Sequence, residues 1–403
     1  MAKNFKKSLI VLFLVVLSLF LAAFVAMSLY DSPEYARRLL AYGESDINDY
    51  LIFPERPIQK DDNISVLETA DVAFPQSVVW SEPAVGQERT ENLEELFQRT
   101  DTRAFIAVQD DVVIYEGYFN GSRRDSINTS FSTAKSFNSA LIGAALTEGN
   151  IESVHDPVIK YIPEIAGRGL DALTLRDLLM MSTGIRYRPD SELPFILRPF
   201  GDAALTYYSP DLRRTALRVE PGDMPPGKAF WYNNYHPLLE GMILERVTGM
   251  SVAEYLQEKI WQPMGAEYPA SWSLDSEASG FEKMESGINA RAIDFARFGL
   301  IFLHDGFWNG VQILPGNWVR EATTPQGALD APIGPGIDSY YKYHWWGLRN
   351  ADGAYDFYAA GHFGQFIYVA PRKNVVIVRL GGESDSHPII WPLMIQSLVD
   401  QME

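Results

Sequence analysis

Ser130-Phe131-Ser132-Thr133-Ala134-Lys135-Ser136-Phe137-Asn138-Ser139-Ala140-Leu141-Ile142-Gly143-Ala144-Ala145-Leu146 is the stretch around which the chain is organised. Its apolar and small residues recur at helical spacing, which predicts a buried helix. Ser132 stands at the head of that helix, where free backbone N–H groups and the positive end of the dipole favour a developing anion. Lys135 lies three residues on, so the two side chains share one face, a turn apart. A serine hydroxyl is a weak nucleophile until a base takes its proton. A lysine in a desolvated site can lose its charge and act as that base. Taken alone, Ser-x-x-Lys describes a helix start with an exposed lysine equally well.

The chain has 403 residues, 47% of them hydrophobic. That suffices for a large core, in one big domain or two intertwined ones. It contains no cysteine, which excludes disulfides, thiolate metal sites and a cysteine nucleophile. The formal net charge is −18, and −21 once Lys3, Lys6 and Lys7 are set aside. An acidic surface of this kind repels phosphate backbones, so nucleic acid is not expected as a partner.

From Leu9 to Tyr30 no charged residue occurs, and only Ser18 and Ser28 interrupt the apolar run. A helix of that length crosses a bilayer roughly 30 Å thick. Lys3, Lys6 and Lys7 precede the run, while Asp31 and Glu34 follow it. The positive-inside bias therefore predicts a single pass through the cytoplasmic membrane with the body on the extracytoplasmic, periplasmic side. A cleaved signal peptide is the rival reading, with Ala23 and Ala26 near a possible cut. The run exceeds the usual signal core, which favours a retained anchor.

Three segments are expected: residues 1–30 as cytoplasmic tip and anchor, 31–90 as a stalk or strap, and 91–403 as the main domain. The acids of 31–90 show no calcium-loop spacing and read as solvated surface. Glu91 to Arg99 reads as an amphipathic helix. Residues 104–108 and 112–115, split by Gln109-Asp110-Asp111, predict a hairpin. Thr174 caps a helix that Gly184 is expected to stop. Residues 186–226, rich in proline, read as a long loop shaping a cleft. Helices follow over 238–247, from Ser251, over 293–304 and over 318–323. The strand-rich runs 355–360, 365–370 and 375–380 come next, then a closing helix over 388–402. Strands at both chain ends with helices between predict an α+β fold: one antiparallel sheet assembled from both ends and flanked by helices, with an inserted, mainly helical domain.

Two further motifs accompany Ser132-Thr133-Ala134-Lys135: Tyr232-Asn233-Asn234, and His362-Phe363-Gly364 at the head of a late strand. In this order the three motifs resemble those of the serine β-lactamase and penicillin-binding protein superfamily. The Tyr and His versions look like its class C branch, with the related esterases and 6-aminohexanoate-oligomer hydrolases. The stretches 173–179, 243–249, 296–299 and 361–365 are similar as well. The resemblance spans roughly residues 95–400 and implies the β-lactamase/transpeptidase-like fold, without encoding a substrate.

The resemblance implies roles. Ser132 attacks a carbonyl carbon and becomes acylated, and Lys135 and Tyr232 share the base role. A tyrosine beside a lysine cation is favoured as phenolate and can pass the proton on; which of the two acts first stays open. Asn234 is expected to hydrogen-bond Lys135 or a substrate amide. The oxyanion hole is expected from the backbone N–H groups of Ser132 and Gln365, and Gly364 lets the strand approach the substrate. His362 replaces the family's frequent lysine and removes a permanent cation, which argues against specialised penicillin-type substrates. The other histidines, His155, His236, His304, His344 and His387, show no paired metal spacing, so no metal or cofactor is expected. Ser136 and Ser139 read as helix packing. The aromatics Tyr340, Tyr341, Tyr343, Trp345 and Trp346 fit either a cleft lining or a domain junction. The expected protein is a membrane-anchored serine hydrolase of small esters or amides. A peptidoglycan peptidase or β-lactamase, and a non-hydrolytic sensor of the same fold, are the alternatives.

Overall fold

The computed structural model describes residues 2–82, 86–350, 352–382 and 390–402. At its centre is an eight-stranded antiparallel sheet. In chain order its strands are β1 (Thr102–Gln109), β2 (Val112–Tyr118), β3 (Leu329–Asp330), β4 (Ser339–Lys342), β5 (Trp345–Arg349), β6 (Tyr355–Gly361), β7 (Gln365–Ala370) and β8 (Val375–Gly381). Across the sheet they run β3-β4-β5-β6-β7-β8-β1-β2. The last strand thus pairs with the first, Ile377 opposite Ala107, which closes both chain ends into one sheet. Asp110 and Asp111 turn the β1–β2 hairpin at φ of 49° and 66°, the left-handed pair a two-residue turn needs.

Two-residue alternation decides what each face of the sheet meets. Ile106, Val108, Ile367, Val369, Val376 and Val378 join the larger core with helices α3 (Ala134–Thr147) and α6 (Ala292–Leu303). Phe105, Ala107, Tyr368, Val375 and Ile377 join a second core under α7 (Trp391–Gln401) and the short helix Leu93–Arg99. Phe137 of α3 stacks on Phe298 of α6, ring centroids 3.6 Å apart. At Gly299 a Cβ would lie 2.6 Å from Val376 Cγ1, so only glycine lets α6 lie this close to β8. Beyond α3 stands the helical insertion, led by α5 (Tyr235–Thr248) and closed by Gly249 at φ 70°.

The N-terminal part lies against this body. Helix α1 (Ala2–Tyr30) is long and apolar enough to cross a membrane. Ser32 caps α2 (Pro33–Tyr42) by accepting from the Tyr35 N–H. Met27, Tyr35, Ala36 and Phe53 then form a satellite core with Leu205 and Tyr208 of α4 (Asp202–Tyr208). The strand Glu55–Ile58 pairs with Ala270–Ser273, that one with Ile288–Ala290, and that one with Asn128–Thr129, just before the Ser132 turn.

Several sequence expectations need correction. The Thr174-capped helix ends at Leu179, well short of Gly184. Met181 takes the left-handed turn at φ 51°. Gly184 serves a close crossing, where a Cβ would collide with the Met224 carbonyl oxygen. Residues 186–226 carry helical turns and two short helices, α4 and Leu212–Ala216, in place of a continuous loop. Leu205 and Tyr208 of α4 pack on the N-terminal segment, while Leu212 and Ala216 join the main core, partners that local pattern does not disclose. The closing helix is seen from Trp391; His387 and Pro388 lie outside the described residues. The aromatics of 340–346 form β4, β5 and the turn between them.

Candidate active site

Ser132 sits in a tight 3-10 turn, Phe131–Thr133, that runs straight into α3. Phe131 enters the turn at φ 44°, a left-handed conformation rare for a bulky side chain. It is held there by packing, with Phe363 and His362 rings edge-on at 5.1 and 5.8 Å. Ser130 locks the other side: its N–H donates to Ile288 O at 2.7 Å, and its hydroxyl donates to Ser286 O at 3.1 Å. Asn138, two turns into the helix, donates to Met284 O at 3.1 Å. The nucleophile turn is thus riveted to residues 284–288.

Lys135 is almost fully buried, with 1% of its surface exposed. Its Nζ lies 2.9 Å from Ser132 Oγ and donates to Glu285 O at 3.0 Å. Its third neighbour is the face of the Tyr232 ring, 4.9 Å to the centroid. Behind Glu285 stands a second buried cation. Lys283 pairs with Glu285 Oε1 at 3.0 Å and lies over the rings of Tyr207 and Phe53. Lys283, Glu285 and Phe131 belong to no motif that the sequence displays. The one available signal was the set of polar residues, Ser130, Ser136 and Asn138, on an otherwise buried helix.

Tyr232 lies on a short extended segment leading into α5. The Trp231 N–H donates to Met181 O at 2.7 Å, and the Asn233 side chain donates to Ile185 O at 3.4 Å. The ring stacks on Trp346 at 6.0 Å and meets Tyr341 edge-on. Among the described residues no hydrogen bond joins the Tyr232 hydroxyl to Ser132 or Lys135; such contacts often tighten only around substrate. Asn234 departs from expectation. Its amide donates to Thr206 Oγ1 at 3.5 Å and not towards Lys135, while its Oδ1 is buried without a partner.

On the opposite wall β6 ends at Gly361, paired with Gln365 at the start of β7. A Cβ at Gly361 would collide with Ser130 O and come within 3.2 Å of Phe131 Cβ, so the strand end can touch the nucleophile turn only as glycine. Phe363 and Gly364 make the bend at φ 61° and 75°. Arg379 Nη1 donates to Phe363 O at 3.2 Å and Gly364 O at 2.8 Å. In a trans peptide C=O and N–H point opposite ways, so the Gln365 N–H is turned away from Arg379. The Gln365 side chain is engaged with Gly381, through bonds of 2.8 and 3.1 Å, which leaves only its backbone for a ligand. Burial lowers the proton affinity of His362 below its ordinary value, and the nearby Glu44 carboxylate partly offsets this.

The chain was compared with known proteins. A family model described as Beta-lactamase matches residues 91–385. The 6-aminohexanoate-dimer hydrolase of Paenarthrobacter ureafaciens is 30% identical over 351 residues, 81% of this chain and 85% of that one. The teichoic acid D-alanine hydrolase of Staphylococcus aureus is 25% identical over 194 residues, 47% of this chain and 45% of that one. Among solved structures, a Bacillus anthracis protein provisionally assigned as a 6-aminohexanoate-dimer hydrolase superposes with a TM-score of 0.70 at 25% identity. That match covers 86% of this chain and 90% of that one. A class C β-lactamase variant shares the fold, with a TM-score of 0.57 at 13% identity over 77% of this chain and 95% of that one. With the family model spanning most of its length, this protein belongs to the beta-lactamase family and is a serine hydrolase of that kind.

Proposed function

We propose that this protein is a membrane-anchored hydrolase that cleaves a small ester or linear amide outside the cytoplasm through an acyl-enzyme on Ser132. The observation that carries this reading is the buried Lys135 amine, 2.9 Å from the Ser132 hydroxyl. In the first step Lys135 takes the hydroxyl proton as Oγ bonds to the substrate carbonyl carbon, and the carbonyl oxygen becomes an oxyanion. The N–H groups of Ser132 and Gln365 receive that oxyanion; each such donor lowers the barrier by about a few kcal/mol. As the C–O or C–N bond breaks, the proton passes from Lys135 through the Tyr232 hydroxyl to the leaving group. Water then attacks the acyl carbon and gives its proton back along the same pair, releasing the acid and restoring Ser132. The contact between Lys135 and Ser132 supports the lysine as the first base. Tyr232, over which that lysine lies, is the relay.

His362 is neutral at pH 7 on this reading, so the site lacks a fixed cation for a carboxylate beside the scissile bond. That weighs against penicillin-like substrates. The length of the apolar run supports a retained α1, as does Phe24 packed against the satellite core. The three preceding lysines support a cytoplasmic tip. A panel of chromogenic short-chain esters, linear amides and a chromogenic lactam, run on the full chain in micelles, tests the assignment. Turnover of ester or amide that vanishes in Ser132→Ala is expected. Stoichiometric labelling without turnover would make the protein a sensor instead.

A further inference from the structure

We propose that the tip Phe195-Ile196-Leu197 rests in the lipid surface where α1 leaves the membrane, so that the Ser132 site draws substrates bearing an apolar tail from the bilayer. This rests on the reading of α1 as a retained membrane span and of Ser132 as a hydrolase nucleophile. The tip is unusual for a body this acidic: Phe195 and Ile196 are each 78% exposed and Leu197 is 46% exposed. Three consecutive large apolar side chains facing water mark a surface that something apolar covers.

The depth fits lipid. Starting from Leu9, roughly 20 residues at about 1.5 Å each cross the hydrocarbon. The hydrocarbon therefore ends within the last two turns of α1, where Phe24 and Met27 already pack on the satellite core and Leu29 is 83% exposed. The next residue, Tyr30, holds the Phe200 ring edge-on at 5.4 Å. Phe200 ends the 3-10 helix that Phe195 begins, so at roughly 2 Å per residue Leu197 stands about 6 Å and Phe195 about 10 Å along that helix from the residue that touches Tyr30. The attachment is firm. The Tyr35 hydroxyl donates to Pro199 O at 2.6 Å. Arg214 and Arg218 both clamp the fully buried Asp31 carboxylate at 3.0 Å. Arg188 and Arg198 stand nearby, paired with Asp202 and Glu44, so the arginines here brace the exit and the apolar tip carries the contact with lipid.

The same segment walls the catalytic cleft. The Tyr235 hydroxyl, next to the Tyr232-Asn233-Asn234 motif, donates to Asp202 at 2.8 Å, and Asp202 accepts the Arg188 N–H at 2.6 Å. Glu44 lies 3.9 Å from Arg198, and its carboxylate is near enough to His362 to offset part of the effect of burial there. Tip, Tyr232 wall and His362 therefore share one rim. An amphiphile whose tail stays in the bilayer beside the tip would bring its ester or amide to Ser132.

The test uses the full chain in nanodiscs of phosphatidylethanolamine and phosphatidylglycerol. The chain has no cysteine, so Ile196→Cys gives one thiol for an environment-sensitive nitrobenzoxadiazole label. Blue-shifted emission, quenched by lipids spin-labelled on the acyl chain, is expected. Quenching by aqueous iodide alone would overturn the placement. In a second arm, Phe195→Ser with Ile196→Ser should leave turnover of a water-soluble ester unchanged. It should lower turnover of a long-chain ester embedded in the disc about tenfold or more, the effect of unseating two buried side chains. Equal effects on both esters would overturn the substrate class. Failure of the hydrolase reading would look different: wild type would turn over neither ester in a Ser132-dependent way, while the label would still report where the tip lies.

Discussion

The Lys283–Glu285 pair gives the sharpest forecast for stability. Both side chains are 2% exposed, and the Nζ–Oε1 distance is 3.0 Å. Lys283 also donates to Tyr207 O at 2.5 Å and lies 4.0 and 4.5 Å above the Tyr207 and Phe53 rings. Glu285 has little else: Ser286 Oγ donates to its Oε1 at 3.0 Å, and its Oε2 has no partner. Lys283→Met therefore strands a buried carboxylate, a change that costs about 3–5 kcal/mol. Replacing both members by apolar residues removes the stranded charge too. Lys283→Met with Glu285→Leu should thus unfold within about 1.5 kcal/mol of wild type. Urea titration of the full chain in micelles, followed by tryptophan fluorescence, measures both. Because Glu285 O also anchors Lys135, kcat should fall in the single variant with KM little changed. A single variant that loses less than about 1 kcal/mol, or a double variant as damaged as the single, would refute the reasoning.

Three further outcomes follow from the site. Tyr232→Phe keeps the stack on Trp346 but loses the relay hydroxyl, so kcat should drop about 10²- to 10⁴-fold with the unfolding midpoint unchanged; an unaltered kcat would remove Tyr232 from the proton path. His362 binds its proton less tightly folded than at the ordinary 6.5, chiefly through burial. The unfolded chain then takes up more protons below that pH, so stability should fall as pH drops through the window below 6.5. His362→Asn should flatten that limb in acid-side melting curves, and identical limbs would contradict it. Gly361→Ala forces a Cβ against Ser130 O, so kcat/KM should fall at least about tenfold, as misplacing a nucleophile does; full activity would show that the strand end does not set the Ser132 turn.

Much of the site was legible because its chemistry is local. Ser132 and Lys135 are three residues apart across the entry to α3, a spacing that puts hydroxyl and amine on one face, while the burial of the lysine depends on Glu285 O from a distant segment. The strands 355–360, 365–370 and 375–380 were legible for a similar reason, since alternation and turn residues are local signals. What escaped depends on distant partners. Lys283 and Glu285 look like surface charges in sequence and become core residues only because Phe53 and Tyr207 fold over them. Asn234 was expected near Lys135, yet α4 supplies Thr206 instead. The segment 186–226 looked like loop because its helices are short and proline-flanked. α4 packs on the N-terminal strap and Leu212–Ala216 on the main core beside α5, partners that no local pattern announces.

Intact-protein and peptide mass spectrometry of an acid-quenched reaction with a slow ester tests the central chemistry most directly. The expected result is one acyl group, carried on the peptide containing Ser132, appearing within the first turnover and absent in Ser132→Ala. Steady turnover with no adduct at any quench time, or an adduct that persists in Ser132→Ala, would contradict it.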